Sequence, residues 1–209
     1  MKTEENRTLT AAEQRRLSRF EALKAKLASQ GWRAAELTIS IVKANVFAVL
    51  LAIPLMGLGF WLFFVRNGGM GSMPDHFALL FLVVFIALIF VHEGLHGVTW
   101  ALFAENGFKD IEFGFMKELL TPYCTCAAPL KKGQYILGAL MPLIVLGVIP
   151  TVLGILCGSL FWTIIGLVMV LSAGGDILIV LKLLLWKSAA AEKRFLDHPT
   201  QAGLVVFER

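Results

Sequence analysis

The residues best suited to chemistry are His92-Glu93-Gly94-Leu95-His96, an H-E-x-x-H run inside a long apolar stretch. Residues four apart in a helix lie one above the other on a single face, so both imidazoles would project together about one turn apart. Two histidines need that placement to ligate one tetrahedral zinc ion. Glu93 follows the first ligand and can reach a water activated by that metal as a general base. Ionisable side chains clustered at membrane depth are costly to keep and mark function. The competing reading is two histidines hydrogen-bonded to neighbouring helices, with Glu93 neutral or paired.

Zinc at a catalytic site takes three protein ligands and keeps one position open. The acid deep in another apolar stretch is Asp176, in Ser172-Ala173-Gly174-Gly175-Asp176. His92 comes fifteen residues after Phe77, and Asp176 fifteen after Phe161, both counted from the same face. At 1.5 Å per residue both lie roughly 22 Å from that face, so their depths are compatible. Gly174 and Gly175 would admit a close helix or substrate backbone. A structural hydrogen bond between helices is the alternative for Asp176. Weaker ligand candidates are Glu105, Glu112 and Glu118 in a polar loop, His76 at the far face and His198, read as an ordinary surface histidine of the tail. Cys124-Thr125-Cys126 has no second pair to complete four ligands, so with Cys157 these are expected to be reduced thiols.

The elements that must carry these residues are membrane helices. The chain has 209 residues, 57% hydrophobic and 16% charged, with a mean hydropathy of +0.75. Those values exclude disorder and a disulfide-stapled secreted module. Four stretches, about 42–65, 77–104, 136–156 and 161–185, are long enough to span a bilayer. The last two, joined by the short link Cys157-Gly158-Ser159-Leu160, should form an antiparallel hairpin. Trp61 and Trp162 would mark one membrane face, Trp100 and Trp186 the other. No cleavable leader precedes the first stretch, so it is expected to remain as a span. Eighteen Lys/Arg fall on one side of this arrangement and Arg66 alone on the other. Both termini and the 105–135 loop are therefore expected in the cytoplasm. The same sorting makes nucleic acid a poor partner despite a net charge of +4.

Thr10 to Glu13 has capping-box spacing, and Leu17, Phe20, Leu23 and Leu27 come after it at helical intervals before Gly31. This amphipathic helix could lie on an anionic leaflet or pack on the other cytoplasmic segments. In the polar loop, Ile111 to Phe115 alternates like a strand, and Pro122 should break the segment beyond it. Leu204-Val205-Val206-Phe207 suggests a second strand, and the two could pair as an edge for an extended peptide. The expected fold is an all-α integral membrane protein. It has a cytoplasmic N-terminal segment (1–41), a four-helix transmembrane domain (42–185) whose loop holds short β-strands, and a cytoplasmic tail (186–209). Gly154 and Gly158 have the spacing of a close-packed helix pair, compatible with a homo-oligomer.

The residues from Phe77 to Leu185 resemble a family of bacterial membrane zincin peptidases, similar in design to the site-2 intramembrane metalloproteases. The resemblance rests on His92-Glu93-Gly94-Leu95-His96-Gly97 and on Gly174-Gly175-Asp176-Ile177 two spans later, and extends to Asp197-His198-Pro199. It implies Zn2+ held by His92, His96 and Asp176, with Glu93 as catalyst. It also implies a peptide or transmembrane-helix substrate and a bacterial inner-membrane location. Two glycines precede Asp176, where site-2 proteases place one after it. Met141-Pro142 stands where they often have asparagine. The alternative function is a non-proteolytic metal-binding membrane protein for transport, sensing or scaffolding. One compact ionisable cluster, instead of a string along a path, favours a fixed site.

Overall fold

The computed structural model describes residues 9–69, 71, 73–116 and 121–209. Lys117 and Glu118 of the polar loop lie outside them. Helix α1 (Ala11–Ala28) opens with the expected capping box: Thr10 Oγ1 accepts from the Glu13 amide at 3.3 Å, and Glu13 Oε2 accepts from the Thr10 amide at 2.8 Å. Its apolar stripe is not free for a leaflet. Phe20 packs against Leu196, Val205 and Phe207, flanked by Leu17, Leu23 and Leu27.

Those partners belong to an antiparallel sheet of order β1-β5-β4, formed by Arg33–Thr38, Gly203–Glu208 and Lys193–Asp197. The chain ends thus meet: Arg33 pairs with Glu208, and Lys193 pairs with Glu208 from the other side. The apolar 204–207 run forms the buried central strand, β5. A second sheet is the hairpin of β2 (Ile111–Met116) and β3 (Thr121–Cys126). Two expectations change here. The 111–115 strand pairs with β3 and not with the tail. Pro122 does not break the structure but lies inside β3, opposite Phe115. Proline has no amide to donate and is tolerated on an edge strand. Among the described residues the fold is therefore mostly helical, with the loop's strands forming one small sheet and an additional three-stranded sheet joining the two chain ends.

Among the described residues, three helical segments are long and apolar enough to cross a membrane, or four if a bent pair counts as one. Helix α2 (Ile41–Asn67) ends on Gly68 at φ 71°, and α3 runs Phe77–Ala101. The third segment is α4 (Lys132–Pro142), a π-helical stretch (Leu143–Val148) and α5 (Ile149–Cys157). Its widened turns come directly after Pro142. Helix α6 (Leu160–Ser172) returns beside α5, as the short link predicts. The fourth stretch is not one straight span. It bends by 47° between α6 and α7 (Gly174–Leu185). A Cβ on Gly174 would sit 2.3 Å from that of Ala48 on α2, so the missing side chain is what lets the two helices touch. Asn67 of α2 donates to the Ile155 carbonyl of α5 at the helix ends remote from the three-stranded sheet.

Candidate metal centre

His92, Glu93 and His96 lie toward the C-terminal end of α3, and Asp176 lies in the first turn of α7, just past the bend. An acid is favoured at a helix start because it faces unpaired amides and the positive dipole end. His92 Nε2 is 3.2 Å from one Asp176 carboxylate oxygen, and His96 Nε2 is 3.5 Å from the other. The three donor atoms lie within 4.8 Å of one another. Tetrahedral zinc with bonds near 2.0–2.1 Å holds its donors about 3.3 Å apart, close to the two His–Asp separations. The depth comparison between His92 and Asp176 is realised as contact.

The orientation of His96 is enforced. Its Nδ1 lies 2.9 Å from the Gly138 carbonyl. Donation to that oxygen leaves the Nε2 lone pair for a metal. The close approach of α4 depends on glycine, because a Cβ on Gly138 would fall 2.0 Å from Trp100 Nε1. Trp100 stacks on His96 at 5.1 Å and on Tyr135 at 5.5 Å, and its Nε1 donates to the Tyr135 carbonyl at 3.2 Å. Trp100 is therefore buried against the site and is not a membrane-face tryptophan. His92 Nδ1 is buried without a partner among the described residues.

Glu93, His96 and Asp176 open onto a cavity of about 770 Å³. The hairpin contributes Tyr123 and Cys124 to its wall, α1 contributes Arg16, and the tail contributes residues 197–203. The Cys124 backbone faces the Glu93 carboxylate. Arg16 ties three of these walls together. It donates to Glu112 at 2.9 Å, to the Tyr123 hydroxyl at 2.7 Å and to the Pro199 carbonyl at 3.0 Å.

The other candidates fall elsewhere. Glu112 is taken by Arg16, His76 begins α3 at its opposite end, and Glu118 is outside the described residues. His198 is not a surface histidine: it is 9% exposed and lines the cavity. Its Nδ1 accepts the Thr200 and Gln201 amides at 3.3 and 3.0 Å. Burial holds its pKa below the ordinary value. The cysteines are free. Burial, reinforced by Asp197, pushes the Cys126 thiol up to about 12 and raises Cys124 as well. Protonated thiols of this kind are poor nucleophiles and poor metal ligands. Sequence reasoning about the site missed Tyr135 and gave Asp197 no role. Tyr135 OH donates to Asp197 at 2.5 Å, a contact between residues 62 apart in sequence that no local spacing signals.

No curated protein and no solved structure matches the chain. A family described as "putative zincin peptidase" matches residues 85–191, which include His92, Glu93, His96 and Asp176. That match spans half of the chain, and the protein belongs to this zincin-peptidase family.

Proposed function

We propose that the protein is a membrane-embedded zinc endopeptidase acting on membrane or membrane-associated polypeptides. The observation that carries the reading is the convergence of His92, His96 and Asp176, the last two lining one cavity together with Glu93. The family supports zinc peptidase chemistry. The apolar helices support a membrane setting, and the sorting of basic residues supports termini in the cytoplasm.

His92 and His96 would hold the metal through Nε2, with one oxygen of Asp176 as third ligand. Zinc bound there supplies Lewis acidity, polarising a scissile carbonyl and bringing a water toward ionisation at neutral pH. Glu93 takes a proton from the attacking water as its oxygen bonds to the carbonyl carbon. The same carboxyl then delivers that proton to the amide nitrogen as the C–N bond breaks. Trp100 and the Gly138 carbonyl keep His96 from rotating out of register.

The test is elemental analysis of detergent-purified protein with a cleavage assay. Wild type should hold about one zinc per chain, as an open three-ligand site requires. His92→Ala and Asp176→Ala should each lose it. Glu93→Gln should keep the metal and lose turnover by at least about a hundredfold, the usual scale for a general base. A Glu93→Gln protein with undiminished function would favour the transport, sensing or scaffold reading. A metal-replete wild type without zinc would remove the enzyme reading.

A further inference from the structure

Asp197 lies at the end of β4, outside the residues matched by the family. Its carboxylate accepts two hydrogen bonds from two other elements: Tyr135 OH of α4 at 2.5 Å and the Cys126 amide of β3 at 2.8 Å. Each donor leads to a different part of the metal centre.

The first branch runs through α4. The Tyr135 ring stacks on Trp100, and Trp100 stacks on His96. One turn further along α4, the Gly138 carbonyl meets His96 Nδ1. Fixing Tyr135 thus fixes both contacts that orient this imidazole. The second branch runs through β3. The Ala127 amide donates across the hairpin to Asp110 at 2.7 Å. In an antiparallel ladder the amides alternate in direction, so those of Tyr123 and Thr125 also point toward β2, while those of Cys124 and Cys126 point away. The Cys126 amide meets Asp197 and the Cys124 backbone meets Glu93. Asp197 therefore clamps the strand two residues from its contact with Glu93.

We propose that Asp197 is a positioning residue of the metal centre, holding the ligand His96 and the base Glu93 in register, so that the C-terminal sheet is part of the active site. This rests on the metallopeptidase reading. Asparagine has the same shape but only one accepting oxygen, so Asp197→Asn leaves one of the two donors facing an NH2 group. Tyr135→Phe cuts the α4 branch alone. Glu192→Gln, at a surface pair with Arg209 on the same tail, is the control.

The experiment loads the full-length, detergent-purified protein with Co2+ in place of zinc and records the visible d–d spectrum, the Co2+ affinity and thermal unfolding. The spectrum reports ligand geometry, which a merely structural staple would leave unchanged. Asp197→Asn and Tyr135→Phe should remain folded, show an altered band and bind Co2+ about tenfold more weakly, the lower end of the effect of removing an outer-shell partner. Glu192→Gln should match wild type. Unchanged spectrum and affinity in both variants, with a wild type that loads normally, would overturn the proposal. Should Asp197→Asn fail to fold, Tyr135→Phe decides alone. If wild type binds no cobalt, or His92→Ala binds it equally well, the metal reading fails and this proposal falls with it.

Discussion

At the scale of single residues, the candidate metal centre divides into groups whose placement can be read from local spacing and groups whose placement cannot. His92, Glu93 and His96 were legible because a four-residue interval is itself a helical geometry. Asp176 was legible through depth. Asp197 carries a testable signature of its own. Burial pushes its carboxyl up to about 6 from an ordinary 3.8, against the opposing pull of Tyr135 OH and the Cys126 amide. The folded state therefore holds this proton more tightly than the unfolded chain. Its contribution to stability is present at low pH and is lost as pH rises from about 4 to about 6. Asparagine has no such titration. The Tm difference, Asp197→Asn minus wild type, should therefore move in favour of the variant as pH rises through that window. His198, whose pKa is lowered by burial, acts in both proteins and cancels. Tm measured in detergent across that range checks this, and a flat difference would show that the carboxylate bears no burial penalty.

At the scale of elements, the apolar runs located the helices, but packing placed their breaks. Composition cannot distinguish one straight span from a bent pair, because the bend at Ala173 depends on what Gly174 meets on α2. Strand β1 was missed because Arg33-Ala34-Ala35-Glu36-Leu37-Thr38 does not alternate cleanly, and its pairing partner lies at the other end of the chain. Glycines make the role of close packing measurable. A Cβ on Gly166 of α6 would lie 2.3 Å from Thr151 Oγ1 and 2.5 Å from the Thr151 amide nitrogen on α5. Backbone cannot yield as a flexible side chain does. Gly166→Ala should thus destabilise the α5–α6 hairpin by about 1–3 kcal/mol, the usual penalty of overpacking. Gly57 of α2 has nothing within 4 Å of its notional Cβ. Gly57→Ala should be neutral or slightly stabilising, since alanine removes backbone freedom without a clash. Thermal unfolding of the two variants side by side decides it, and equal effects would mean that the hairpin contact does not limit stability.

At the scale of the whole molecule, the two ends differ, and the native cysteines already label them. Cys157 is exposed at the α5–α6 turn, where Gly158 also lies near Asn67 of α2. Cys124 and Cys126 lie in the hairpin at the other end, with Cys126 only 2% exposed. On our proposal, the eighteen-to-one sorting of basic residues puts the hairpin end in the cytoplasm. A membrane-impermeant maleimide added to spheroplasts of an expressing bacterium should therefore label Cys157 and nothing else, and Cys157→Ser should abolish the signal. In inverted vesicles Cys157 should be protected and Cys126 should stay unlabelled, because it is buried and its thiol is pushed up. Cys124, half-buried and likewise raised, should react slowly at most. The outcome bears on function because the cavity walls formed by α1, the hairpin and the tail all lie at one end. With that end in the cytoplasm, a substrate reaches Glu93 from the cytoplasmic side or laterally between helices. Protection of Cys157 in spheroplasts would reverse the molecule and turn the same cavity toward polypeptides outside the membrane.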